Sequence, residues 1–343
     1  MRPRNNPSNL FAGIDNITFD TRQFDPSKDD ILNICRFFAL GKLQYFEKEK
    51  SVTVSHSNHF VFLRTTTGEF ALKFYPPDSG NMLAAEFAIN RYLIHHDFLT
   101  PTMLAGKNGQ PSLSSNSRLA TCFTYIEGTP AWLYIHKPQV FRQINKAMSS
   151  IKRIVSSLHK DIPILKQDNF AKMANDAAQA SRSIPTYDQK ELIESTLIKT
   201  CRSFGDHQPL FERQCLHNNA TLTNFLVAGK DVYTLDLTHI REDYILSDLG
   251  ALIVSCLFLD TRKNIIRLII EDHFKQHKIP KERIVVLNTL VKIYMIREYL
   301  KNIQNERSIN ANDPRQRTAK DYLAHLKARN KLIVGVLSKI TTL

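Results

Sequence analysis

Residues 216–227 read LHNNATLTNFLV. A histidine stands at 217, an asparagine two places on at 219, and a second asparagine seven places on at 224. This is the outline of a phosphotransfer loop, in which the middle position normally carries an aspartate and the last holds a metal ion. Asn219 is the departure. A carboxamide is close in shape to a carboxylate and accepts a hydrogen bond through its oxygen, but it takes up no proton at neutral pH.

The stretch downstream reads as a hairpin. Residues 225–227 and 232–237 have strand character, and Ala228-Gly229-Lys230-Asp231 forms a tight turn between them. Folding at Gly229-Lys230 brings Asn224 roughly opposite Leu235 and Asp236. A carboxamide oxygen and a carboxylate then meet at the open end of one hairpin. Hard oxygen donors of this kind suit Mg²⁺.

Upstream, residues 58–75 read as two strands joined by a turn at Thr66-Thr67-Gly68. Period-two alternation puts Phe70, Leu72 and Phe74 on one face of the second strand and Ala71, Lys73 and Tyr75 on the other. A helix follows the Pro76-Pro77-Asp78 break, with an apolar stripe of Met82, Ile89 and Leu93. Glu86 falls on that stripe, where an ionised carboxylate is costly unless paired. Lys73 is the nearest candidate partner in sequence. Pairing of a strand lysine with a helix glutamate is how a kinase holds nucleotide phosphates. A short helix is expected at about 30–40, ahead of these strands.

An extended stretch from Pro101 and a turn at 106–109 lead to RLATCFTYIEG, a strand able to act as a hinge. Beyond it the character is helical. Val140, Ile144, Ile151, Val155 and Leu158 recur at helical spacing, and a further helix is expected near 189–201. Later stripes are Val286, Leu290, Ile293 and Leu300, then Ala319, Leu323, Leu326, Ile333 and Leu337, with a polar linker at 305–317. The expected division is a loosely held segment 1–28, a β-rich lobe 29–125 and a helical lobe 126–343.

With these residues in this order, the chain resembles the aminoglycoside phosphotransferase and choline kinase family, small-molecule relatives of protein kinases. The family's loop H-G-D-x-x-x-x-N corresponds to HNNATLTN, and its metal strand to LDLTH with Asp236 at the aspartate. EFALKFYPP and AAEFAINRYL resemble the lysine strand and glutamate helix, YIEGTP the segment after the hinge, and Leu158-His159 the end of a helix in the helical lobe. Asp248-Leu249 matches the Asp-Leu pair that opens a buried helix. The resemblance spans about residues 45–300.

It implies an α+β, bilobal protein-kinase-like fold, with ATP and Mg²⁺ as cofactors and a small-molecule hydroxyl as acceptor. Lys73 would hold the α/β-phosphates and Glu86 would orient it. The backbone of Thr124, Tyr125 and Ile126 would meet adenine. Asn224 and Asp236 would bind the metal, Asn219 would position the hydroxyl, and His217 would order the loop from beneath. The nucleotide-covering loop departs from the family, since VTVSHSNHF has no glycine and only Asn58 fits the common pattern. With Asn219 in the loop, two outcomes stay open: a slow kinase, or a nucleotide-binding pseudokinase acting as an interaction module.

The chain has 343 residues, 43% of them hydrophobic and 23% charged, which is the composition of an ordinary globular protein. A net charge of +13 favours anionic partners. Lys and Arg are dispersed without the block that marks a nucleic-acid arm, so nucleic acid is the least favoured partner. The five cysteines fit neither a zinc site nor a disulfide framework, and four lie in or beside apolar runs. A reducing cytoplasm suits them. The N-terminus carries no apolar signal core, and LGALIVSCLFL at 249–259 is too short to span a bilayer and reads as a buried helix.

Overall fold

The structure, a computed structural model, describes residues 26–48, 59–158, 174, 178–179, 187–259 and 261–306. Asn58 and the rest of the loop 49–58, His159, and the stripe from Ala319 lie outside the described residues, as do residues 1–25.

The smaller lobe is a five-stranded antiparallel sheet in the order β1-β2-β3-β5-β4. Its strands are β1 (Leu43–Lys48), β2 (His59–Thr65), β3 (Gly68–Tyr75), β4 (Leu113–Ser115) and β5 (Arg118–Thr124). Helix α1 (Lys28–Phe37) covers one face. It starts at a reciprocal cap, in which the Ser27 hydroxyl accepts the Asp30 N–H and the Asp30 carboxylate accepts the Ser27 N–H. Asp30 also accepts hydrogen bonds from Ser115 and Asn116, which ties the helix to the β4–β5 turn. Ile31, Ile34 and Cys35 of α1 pack with Val61, Leu63, Leu72, Phe74, Ala120 and Cys122. The pleat sends Lys73 and Tyr75 to the opposite face, where Tyr75 packs with Leu83 and Met103.

Helix α2 (Gly80–His95) lies against that second face. Its buried positions are Leu83, Glu86, Ile89, Asn90 and Leu93, so the stripe runs through Leu83, and Met82 is only half-buried. Asn90 satisfies both ends of its amide. It donates to the Pro101 carbonyl and accepts the Met103 N–H, which fixes the segment entering the sheet.

The C-terminal half of α2 joins the lobes. Ile89 and Leu93 pack with Phe98, with Ile151, Ile154 and Val155 of α3 (Pro138–Leu158), and with Cys215, Leu237 and Ile240. The chain leaves β5, and β6 (Thr129–Pro130) then pairs with β8 (Phe225–Ala228). Gly128 makes that passage, since a Cβ there would lie 2.8 Å from the Val227 carbonyl oxygen.

The larger lobe adds α4 (Tyr187–Asp206), α5 (Ser247–Phe258), α6 (Lys263–Gln276) and α7 (Ile284–Glu306). The apolar run at 249–259 is largely the buried helix α5, and Val286, Leu290, Ile293 and Leu300 are buried in α7. Two small antiparallel pairs set the functional loops beside each other. In one, β7 (Arg213–Leu216) pairs with β10 (Arg241–Tyr244); in the other, β8 pairs with β9 (Asp231–Thr234). Among the described residues no helix is long and apolar enough to cross a membrane.

Leu93 is fully buried where α2 meets the larger lobe. Leu93→Ala is expected to lower unfolding stability by about 2–5 kcal/mol, the usual effect of emptying a packed aliphatic site. Denaturant titration of the variant against the unmutated chain measures it.

Candidate active site

The loop that follows β7 is fixed by a carboxylate from a different element. Asp248, in the first turn of α5, accepts the His217 N–H on Oδ2 at 2.9 Å and the Asn218 N–H on Oδ1 at 2.6 Å. The chain turns there through a left-handed residue, Asn218, at φ 63°. Burial pushes the Asp248 carboxyl up to about 7, against the two amide donors that favour its charged form.

His217 is completely buried. Its Nε2 donates to the Leu235 carbonyl at 2.9 Å, and its Nδ1 accepts the Asn219 N–H at 3.3 Å. Burial lowers its pKa to about 4, so the ring is neutral and both nitrogens are engaged. It joins the loop to the segment just after β9.

Asn219 is half-buried, and its carbonyl accepts the Thr221 N–H and the Asn224 side-chain amide, both at 2.8 Å. Because Asn224 spends its Nδ2 on that bond, its Oδ1 is the end left to face a ligand. The Asn224 carbonyl accepts the Leu235 N–H at 2.8 Å, one step beyond the Phe225–Thr234 pair of the hairpin. The register read from the sequence therefore holds, except that β9 ends at Thr234 rather than continuing to Leu237. The chain breaks away because Asp236 adopts φ 57°, a left-handed conformation unusual for a residue with a side chain.

Asp236 meets Lys73 across the lobes. Lys73 Nζ lies 2.9 Å from Asp236 Oδ1, and the same oxygen accepts the Thr238 hydroxyl at 2.7 Å. His239 Nε2 is 3.7 Å from Oδ2. Burial alone would raise the Asp236 pKa, but the Lys73 ammonium, His239 and the Thr238 hydroxyl together outweigh that and hold the carboxyl well below the usual carboxylate range. Lys73 is only 5% exposed and lies over the Tyr75 ring, 4.6 Å from its centroid. Glu86 is buried, and its Oε2 accepts the Tyr75 hydroxyl at 3.1 Å. Burial raises its pKa to about 7, and the Lys73 charge works against that rise. Lys73, Glu86, Asp236, Asn224, Asn219 and His217 thus gather at one junction between β3, α2 and the two loops.

Two backbone amides of the hinge stretch are engaged within the protein. The Thr124 N–H donates to the Thr102 carbonyl at 2.9 Å, and the Tyr125 N–H donates to the Glu69 carbonyl at 3.1 Å. These two amides hold the end of β5 to its neighbours. Ile126 is the first hinge residue clear of those bonds. Tyr125 keeps a 38% exposed ring, stacked edge-on against Phe62.

Three residues of the site escape a reading from sequence. Asp248 shows there only as the acid opening a helix; its role as clamp needs the fold. Tyr75 and Thr238 bind carboxylates that they neighbour only in space or in a tight turn.

Residues 50–271 match the family model described as the phosphotransferase enzyme family. The chain belongs to that family. Solved structures of similar fold include three phosphotransferases of small molecules. An aminoglycoside phosphotransferase from Alicyclobacillus acidocaldarius has a TM-score of 0.68 at 13% identity, covering 94% of this chain and 99% of that one. A spectinomycin phosphotransferase in complex with ADP and spectinomycin gives 0.65 at 10% identity, with 93% and 100% covered. A choline kinase from Streptococcus pneumoniae gives 0.60 at 12%, with 91% and 99% covered. At these identities the likeness is one of fold. No curated protein sequence matches the chain.

Two outcomes follow from the clamp and the buried glutamate. Asn at 248 offers one oxygen and one amide to two N–H donors, so Asp248→Asn is expected to cost about 1–3 kcal/mol through one orphaned donor. Denaturant unfolding reads this directly. Glu86 holds its proton to about pH 7 in the folded protein and releases it at 4.5 when unfolded. The folded state therefore binds the extra proton across that window, and Glu86 lowers stability as pH rises through it. Glu86→Gln is expected to flatten this part of the stability profile, measured at several pH values across the window.

Proposed function

We propose that this member of the phosphotransferase family transfers the γ-phosphoryl group of ATP to an oxygen of a small molecule. The observation that carries the reading is the contact of Lys73 with Asp236. These residues are 163 positions apart in sequence and stand 2.9 Å apart. One is the strand lysine expected to hold phosphates and the other the loop acid expected to hold a metal. Elsewhere in the site, the residue types and bonding fit the same chemistry.

The donor set suits Mg²⁺. It consists of the Asp236 carboxylate, ionised well below neutral pH, and the Asn224 carboxamide oxygen, oriented by its amide bond to Asn219. When bound, MgATP supplies the phosphoryl group, and its cation offsets the phosphate charge. Lys73 contributes a fixed positive charge at the α/β-phosphates, and Glu86 and Tyr75 limit where that ammonium can go. Ile126 offers its backbone to the adenine edge. Asn219 positions the acceptor through its carboxamide. His217 and Asp248 touch no reactant in this scheme; they hold the loop that carries Asn219 and Asn224.

Asn219 also supports a second reading, a pseudokinase that binds MgATP without turnover. A general base commonly supplies about 10²–10⁴-fold. Phosphoryl transfer depends mainly on positioning and on electrostatic stabilisation. For that reason transfer is the favoured reading.

Binding to the folded state must raise its stability. MgATP is expected to raise the melting temperature of the unmutated chain, and to do so little or not at all in Lys73→Ala and Asp236→Ala. Absence of a shift at millimolar MgATP, or equal shifts in all three proteins, would overturn the nucleotide site. Detectable ADP formation that Asp236→Ala abolishes separates the transferase from the pseudokinase.

A further inference from the structure

The turn that carries Asn224 begins without a cap of its own. Leu222–Asn224 forms a single 3-10 turn, entered from Thr221 in an extended conformation. The first N–H groups of a helical turn have no partner within it. A threonine at this boundary commonly supplies one from its hydroxyl. Thr221 makes no such bond, and its hydroxyl pairs with that of Thr223 at 2.8 Å. The Leu222 N–H donates instead to Ser255 Oγ of α5 at 3.1 Å. Leu222 is completely buried, so water offers that amide no substitute. At the other end of the turn, the Asn224 N–H donates to the Thr221 carbonyl at 3.0 Å, and the Asn224 carbonyl takes the Leu235 N–H.

We infer that Ser255 is a positioning residue for the metal site: through the Leu222 amide it fixes the turn that presents Asn224 Oδ1. The inference rests on the nucleotide and metal site proposed above and adds a residue that touches no reactant. Ser255 is half-buried and stands seven residues after Asp248, on the same face of α5. Asp248 takes the amides that open the loop, at 217 and 218, and Ser255 takes the amide that opens its last turn. One helix face therefore holds the loop at both ends. Without the Ser255 hydroxyl the buried Leu222 amide has no partner, which favours arrangements of the turn other than this one. The arrangement that poises Asn224 with Asp236 is then less populated, and the apparent metal affinity falls in proportion. Lys73 sits on β3, outside this turn, so its hold on the phosphates is spared.

The test is calorimetric titration of ADP into the full chain, once with Mg²⁺ and once with a chelator in its place. It is run on the unmutated protein, Ser255→Ala and Ser255→Thr. The factor by which Mg²⁺ tightens ADP binding isolates the metal's contribution. Ser255→Ala is expected to lower that factor about threefold to tenfold, the effect of one lost hydrogen bond, and to leave metal-free ADP affinity within about twofold. Ser255→Thr keeps the hydroxyl and is expected to restore the factor. An unchanged factor in Ser255→Ala would overturn the inference. So would equal weakening of ADP with and without Mg²⁺, or a factor that Ser255→Thr leaves as low as Ser255→Ala does. Failure of Mg²⁺ to tighten ADP binding in the unmutated chain would instead remove the metal site on which the inference rests.

Discussion

The site depends on one charge pair that neither lobe can form alone. Lys73 comes from the central strand of the small sheet and Asp236 from a loop of the helical lobe, and both are largely removed from water. A buried ion pair is a poor source of net stability, because desolvation offsets most of the Coulomb attraction. What it requires is precise mutual placement of the lobes. That placement comes from apolar packing: Ile89 and Leu93 of α2 against α3, Leu237 and Ile240. The same helix carries Glu86 behind the lysine, so the element that docks the lobes also sets the electrostatics of the cleft.

The second constraint is on the backbone of the two loops. Asn218 and Asp236 both take left-handed conformations, which cost free energy for residues with side chains and recur at functional sites. The surrounding bonds over-determine them. Asp248 grips the first loop from α5, His217 spans to Leu235, and Asn224 closes onto both Asn219 and Leu235. The result is a rigid carrier for an oxygen donor at 224 and a carboxamide at 219. Rigidity of this kind is what phosphoryl transfer asks of a protein, since positioning supplies most of the rate.

Much of this was legible in the chain because it is local. Alternation placed Lys73 opposite the core face of β3, and a two-residue turn at Gly229-Lys230 fixed the register that sets Asn224 against Leu235. Glu86 on an apolar stripe signalled a buried acid. Long-range contacts were not legible by the same means. Nothing in the spacing says that Asp248 reaches back to the amides of 217 and 218. Nor does it say that Thr102 and Glu69 take the amides of Thr124 and Tyr125. Spacing alone puts Met82 on the stripe of α2, whereas the buried position is Leu83; both are apolar and only tertiary packing chooses between them.

The central claim is that Lys73, Asp236 and Asn224 form one nucleotide and metal site. A crystal structure of the full chain with a non-hydrolysable ATP analogue and Mg²⁺ tests it most directly. The account predicts the α/β-phosphates at Lys73 Nζ, the metal on Asp236 and on Asn224 Oδ1, and the adenine edge at Ile126. A nucleotide seated elsewhere, or a metal that touches neither Asp236 nor Asn224, would contradict it.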